Sequence, residues 1–189
     1  NVPLAKIAAQ LSVGQKLKNY NLPRWDSINY VSIKEAVLPF NKFPAESIFL
    51  SPEMKSTGEV MGISENFGLS FYKATLSAGI KLPESGLVFI SVNNEDKFKI
   101  ISIARAFKEL GFNIVATEGT AKELVKNGMS AETVYKAGEG RPNIVDRIKN
   151  NEIDLVINTP LGAQSRYDEE AIGKACIQKS IMAITTLSA

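Results

Sequence analysis

Histidine is absent from the chain, which removes the commonest general base and the commonest metal ligand together. Any acid–base work would fall to carboxylates, lysine or tyrosine. Cysteine occurs once, at Cys176, so no internal disulfide can form and a reducing, cytoplasmic setting is expected. Charge of one sign is also missing: 22 Lys and Arg stand against 20 Asp and Glu, a net charge of +2 spread along the sequence. With no basic tract, nucleic acid is not an expected partner. No apolar run approaches the ~18 residues that mark a membrane helix, and no signal peptide is visible, so no membrane is expected either. The chain opens on Asn1 rather than methionine and reads as a piece of a longer protein.

What is present is ordinary globular material, 44% hydrophobic and 22% charged, enough to bury a core. From Gly86 onward short apolar runs alternate with amphipathic stretches, the pattern of a parallel sheet wrapped by helices. Leu87 to Val92 is continuously apolar apart from Ser91, which suits a strand buried on both faces. Ile100, Ile103, Ala104, Phe107 and Leu110 then recur at helical spacing, with Asn94 or Asp96 able to cap the start and Gly111 to end it. Strand Asn113 to Thr117 leads to Thr120-Ala121-Lys122-Glu123, a capping-box pattern that predicts Thr120 as an N-cap, the helix ending before Gly128. Glu132 to Lys136 reads as a strand, Pro142 to Asn150 as a helix and Ile153 to Asn158 as a strand. Asp168 to Gln178 forms a last helix with acids in its first turn, and Ile181 to Ile184 a last strand. The fold class is therefore α/β, a five-stranded parallel sheet flanked by helices, Rossmann-like in kind. Cys176 falls among Ala171, Ile172 and Ala175 on a helical face, a place for core packing rather than for a nucleophile.

The first 80 residues lack that rhythm. They offer a helix from Leu4 to Leu11, a strand-like Tyr30 to Leu38, proline-rich turns around Phe40 to Pro52 and a helix from Glu65 to Ala78. Alone they would bury little, so this mixed α+β stretch reads as part of a larger domain. Lys81 to Gly86 has the turn chemistry of a linker, which sets the boundary at 80/81.

Ligands of open parallel sheets bind beyond the C-terminal strand ends. Those ends carry Asn93, Asn94, Asp96 and Lys97, then Thr117-Glu118-Gly119-Thr120, then Lys136, then Asn158-Thr159. A Thr-x-Gly-Thr turn entering a helix offers backbone N–H groups, two hydroxyls and the positive end of the helix dipole, all suited to phosphate, and Lys97 and Lys136 supply countercharge. The plainer reading of the same residues is a turn, a helix cap and two solvated lysines.

Longer motifs add a family resemblance. Val2-Pro3-Leu4-Ala5-Lys6, Val37-Leu38-Pro39-Phe40-Asn41-Lys42-Phe43-Pro44 and Ser56-Thr57-Gly58-Glu59-Val60-Met61-Gly62 resemble carbamoyl-phosphate synthetase large subunits. So do Gly140-Arg141-Pro142, Asp146 to Asn150, Val156-Ile157-Asn158-Thr159 and Thr185-Thr186-Leu187, so the likeness covers essentially the whole chain. It implies that residues 1–80 are the tail of the second, carbamoyl-phosphate-forming ATP-grasp domain, and 81–189 the methylglyoxal-synthase-like allosteric domain. It further implies UMP as inhibitor and IMP as possible activator, bound by Ser91, Lys97, Thr117, Thr120, Lys136, Asn158 and Thr159. Lys97, Thr117 and Thr120 would hold the phosphate, with Lys136 and Asn158 nearer ribose and base. Where some relatives carry another hydroxyl after Thr159 this chain has Pro160, which cannot donate a hydrogen bond. Glu35 and Thr185 match positions of an ornithine-type site, although Ala183 and Ile184 replace polar or aromatic residues there. Glu35 reads equally as a charge on an exposed strand face, and Thr185 as the end of a strand.

By the same resemblance the parent ligase uses ATP with Mg or Mn, and K, and works with a glutamine amidotransferase small subunit in pyrimidine and arginine biosynthesis. The fragment itself is expected to be non-catalytic and to hold no cofactor or metal, its other partner being the rest of the large subunit. Two alternatives stand beside this. One is an active methylglyoxal synthase, but the histidine that assists that reaction is missing, and the counterpart of the catalytic aspartate is Arg141. The other is a structural or oligomerisation module without an effector.

Overall fold

The computed structural model describes residues 2–24, 28–38, 58–161 and 166–189. The proline-rich turns expected around 40–52, and the motif residues Pro39 to Thr57, lie outside the described residues. Helix α1 (Leu4–Ser12) and a short 3₁₀ turn (Leu17–Asn19) precede an antiparallel pair, β1 (Val31–Val37) and β2 (Gly58–Ser64). Strand β2 was not among the expected strands: two glycines dilute the apolar alternation that signals a strand. Helix α2 (Phe67–Ser77) lies on this pair. Asn66 caps it by accepting from the Leu69 N–H at 2.9 Å, and the Ser70 hydroxyl donates to the Val31 carbonyl at 2.8 Å. Gly62 permits the close approach, since a Cβ there would collide with the Ser70 carbonyl oxygen and sit 2.6 Å from the Ala74 nitrogen.

The rest is the expected doubly wound sheet. Strands β3 (Leu87–Val92), β4 (Asn113–Thr117), β5 (Glu132–Val134), β6 (Leu155–Thr159) and β7 (Met182–Ile184) are all parallel, in the spatial order β5-β4-β3-β6-β7. Helices α3 (Ile100–Glu109), α4 (Glu118–Lys126), α5 (Ile144–Lys149) and α6 (Arg166–Lys179) connect them. Strand β3 sits centrally because Val88, Phe89 and Ile90 are fully buried. Its even positions pack with Ile100, Ala104, Ala121 and Leu124 on one face, and Phe89 packs with Ile144, Ile148, Ile172 and Cys176 on the other. The order reverses at β3, so the ligand crevice of such a sheet falls between the ends of β3 and β6.

Element ends differ in instructive ways. Helix α3 begins at Ile100 after a run of turns, and neither Asn94 nor Asp96 caps it through its side chain. Gly111 ends it as expected, at φ +89°, where a left-handed residue costs glycine nothing. Helix α5 is shorter than expected and starts after Asn143, which forms a full capping box with Asp146 and leaves Pro142 outside. Cys176 is buried in the α5–α6 core, and burial pushes its thiol up to about 12, so it stays protonated at neutral pH. Among the described residues no helix is long and apolar enough to cross a membrane.

Gly62→Ala is expected to destabilise the β1–β2/α2 unit by about 1–3 kcal/mol, the usual cost of an inserted methyl in a tight contact. Thermal unfolding checks this, and an unchanged melting temperature would show that the helix does not depend on the close approach.

Candidate functional site

The strand period of two builds the site out of the core. On the α5–α6 face, Phe89 of β3, Val115 of β4, Val134 of β5 and Val156 of β6 form one buried layer. Two residues further along, the same face presents Ser91, Thr117, Lys136 and Asn158, four polar residues on four neighbouring strands or their ends. These line one cavity of about 610 Å³, together with Lys97, Gly119, Thr120, Thr159 and Asp168, over a floor of Phe89, Ile144 and Ile172. Every residue expected at the nucleotide site therefore borders the same cavity.

Its cationic end is where α4 begins. A Cβ added to Gly119 would lie 3.1 Å from the Lys97 Nζ, so the ammonium sits over the first turn of that helix. Free N–H groups and a positive dipole end face the same spot. Among the described residues Lys97 has no carboxylate partner. Glu118, the acid beside Gly119, turns away: its carboxylate bonds Lys122 at 2.6 Å, which holds it below the usual carboxylate range. Two like-signed features thus converge without neutralisation, an arrangement that an anion relieves.

Hydroxyls line the same end. Thr117 Oγ1 lies 3.2 Å from Ser91 Oγ and 3.4 Å from Thr120 Oγ1, and Thr120 Oγ1 accepts the Val92 N–H at 3.2 Å. Three hydroxyl hydrogens against two mutual contacts leave one for an occupant. Thr120 does not cap α4. The N-cap is Thr117, and Thr120 stands inside the first turn, 1% exposed, because its hydroxyl is needed to satisfy a buried β3 amide.

The other end is amphoteric. Asn158 is 9% exposed, and its amide makes no hydrogen bond among the described residues, leaving two donors and an acceptor for the cavity. Thr159 alternates to the opposite face, where its Oγ1 receives Asn93 Nδ2 at 3.3 Å. Lys136 reaches the cavity from the rim, exposed and paired with Glu139 at 3.6 Å. Asp168 was read from sequence only as a complement to the α6 dipole, yet it lines the cavity. Its pKa is raised above the ordinary carboxylate value, chiefly by burial, against Lys136 and a Gly138 backbone hydrogen bond that act to lower it. Asp168 is thus a cavity residue that the strand-end reading of the sequence did not include. Sequence could have found it only by recognising that the helix next after β6 starts at the same rim.

The remaining sequence candidates do not gather. Thr185 lines a second cleft with Asn93, Asp96, Lys99, Thr186 and Ser188, whereas Glu35, half-buried in β1, does not line it. Arg141 is exposed and 3.8 Å from Asp146, outside the cavity. Pro160 does border the cavity, contributing no donor.

The family of MGS-like domains matches residues 99–185. The whole chain is 52% identical to 18% of the carbamoyl phosphate synthase large chain of Acidobacterium capsulatum. Ninety-nine per cent of it is 50% identical to 18% of the large chain of Archaeoglobus fulgidus. It also matches 38% of a protein of Aquifex aeolicus described as the large chain's C-terminal section, at 46% identity over 99% of this chain. The chain therefore spans less than two-fifths of each of these relatives.

The Asp168 shift carries a pH prediction. A carboxylate raised by folding binds more protons in the native than in the unfolded state between its unfolded and its higher folded pKa, so it lowers stability as pH rises through that window. Asp168→Asn is expected to raise the melting temperature at pH 7, with the gain vanishing below the ordinary carboxylate range. A lower melting temperature at pH 7 would mean that its contacts with Lys136 and Gly138 outweigh its burial.

Proposed function

We propose, from the match of residues 99–185 to MGS-like domains and the likeness of the whole chain to carbamoyl phosphate synthase large chains, that this is a regulatory, nucleotide-binding piece of such a ligase. Residues 81–189 are the allosteric domain on this reading, and residues 1–80 the tail of the ATP-grasp domain that forms carbamoyl phosphate. The ligand is a nucleoside monophosphate, UMP as inhibitor and IMP as possible activator. The observation that carries this is Lys97 over the α4 N-terminus with no carboxylate partner among the described residues, in a cavity shared with Ser91, Thr117 and Thr120.

The phosphate takes the cationic end, bonded by Lys97, the hydroxyls and the first α4 amides. A carboxylate repels phosphate but accepts well from sugar hydroxyls, so Asp168 and Asn158 suit the ribose, with Lys136 at the rim and the apolar floor beneath the base. Asp168, a carboxylate with a raised pKa at the cavity, is the feature that would favour a lyase reading. The charge of Lys136 and the Gly138 backbone act against the rise in its pKa, which favours an ionised carboxylate that accepts from a hydroxyl. ATP with its metal ions, potassium and the glutaminase small subunit belong, on this reading, to the parent assembly in the cytoplasm. An ornithine-type site using Glu35 and Thr185 is not supported by their separate surroundings.

Calorimetric titration of UMP and IMP tests the proposal directly. Saturable binding of one of them is expected, weakened about 10- to 100-fold by Lys97→Ala, the worth of one charge-assisted hydrogen bond. No heat with either nucleotide at millimolar concentration would favour a structural module instead. The isolated chain should form no carbamoyl phosphate from bicarbonate, ammonia and ATP, and measurable product would overturn the division of roles.

A further inference from the structure

Lys97 stands in the loop 93–99 between β3 and α3 and makes no hydrogen bond or ion pair of its own among the described residues. Its place over α4 must therefore be set by the loop, and the loop is tied at one residue. Asn93 Oδ1 accepts the N–H groups of Glu95 at 2.9 Å and Asp96 at 3.2 Å, folding the loop back on itself. Asn93 Nδ2 donates to Asp96 Oδ2 at 2.8 Å and to the Thr159 carbonyl at 3.2 Å, and the Asn93 backbone N–H reaches the same carbonyl at 3.2 Å. The Asp96 carbonyl then accepts the Ile100 N–H at 3.0 Å, carrying the tie into the start of α3. On the far side Thr159 ends β6 and is followed by Pro160, whose ring fixes φ and stiffens the anchor.

We propose that Asn93 is a positioning residue for anion binding, clamping the Lys97 loop to the end of β6 so that the ammonium stays over the α4 N-terminus. The inference rests on the nucleotide-binding reading above and names how that site is held ready. A side chain with an amide is needed because one group must accept from the turn and donate across to β6. An aspartate cannot donate, and a serine cannot span both partners. Pre-setting the ammonium removes the ordering cost that binding would otherwise bear.

The test is a double-mutant cycle on the full chain, with Asn93→Ser, Lys97→Ala and both together titrated with UMP and with inorganic phosphate. Serine retains an acceptor for the turn and adds no charge. Asn93→Ser should weaken both ligands about tenfold in the parent background and less than about twofold when Lys97 is already alanine, since coupled residues fail to add. Without ligand, trypsin should cut the Lys97–Phe98 bond several-fold faster in Asn93→Ser than in the parent, while cleavage at Lys122 stays unchanged. Additive losses in the double variant, or unaltered cleavage, would reduce Asn93 to a general stabiliser and overturn the proposal. Unaltered affinity in Asn93→Ser with UMP still bound by the parent overturns the clamp alone, and a parent that binds neither ligand overturns the clamp and the nucleotide reading together. Should Asn93→Ser fail to fold by circular dichroism, Thr159→Val, which strips the hydroxyl from the anchor, takes its place in the same cycle with a loss of about threefold expected.

Discussion

The site depends on parallel register. When neighbouring strands run the same way, all their carboxyl ends reach one rim, and the period of two keeps every second residue on one face. Phe89, Val115, Val134 and Val156 obey that rule inside the core, and Ser91, Thr117, Lys136 and Asn158 obey it one step beyond. The polar layer is thus positioned by the same packing that stabilises the sheet. A slip of one residue in β4 would turn Thr117 to the other face and Ala116 toward the cavity. Fold and site are specified by one alternation.

Electrostatics give the cavity its polarity. At one end Lys97 and the α4 amides have the same sign and, among the described residues, no acid pairs with Lys97: Glu118 is bound to Lys122 and Asp96 is held by Asn93 and Lys99. At the other, Asp168 lies near Lys136 and Glu139, two carboxylates to one ammonium. On the nucleotide reading, the anionic head takes the Lys97 end and the hydroxyl-bearing body the Asp168 end. Surface lysines bind anions in any orientation, but here a buried amide at Asn158 and an apolar floor under Phe89 and Ile172 distinguish the two ends.

Much of this was legible in the sequence, for identifiable reasons. Continuous apolar runs gave the strand centres, and the bounds of β3 and β4 fall on Leu87–Val92 and Asn113–Thr117 as expected, since a doubly covered strand leaves no ambiguity of face. Caps were less legible: Thr120-x-x-Glu123 is a good capping box, but the Val92 amide competes for that hydroxyl and wins, so the helix starts earlier at Glu118. Asp168 was missed because its role arises from the geometry of α6 entering under the rim, not from any motif. Asn93 was noticed only as one of several strand-end residues, and its bonds to Thr159 span a separation of 66 in sequence, which no local pattern encodes.

Regulation from such a pocket has to leave it through something rigid, because an effector acts only by binding two states unequally. Helix α3 begins directly after the Lys97 loop, and its other end contributes Phe107, with Leu110 and Phe112 beyond, to an apolar cleft of about 380 Å³ facing Phe67, Phe71 and Tyr72 of α2. Ten helical residues span about 15 Å as one body, so a ligand that fixes the loop also fixes that far end. The cleft, lined mostly by apolar side chains rather than directional hydrogen bonds, tolerates sliding of packed faces better than a polar seam would. On the regulatory reading, the anion-held loop and the cleft facing α2 are opposite ends of one lever, and a signal needs no displacement of the sheet between them.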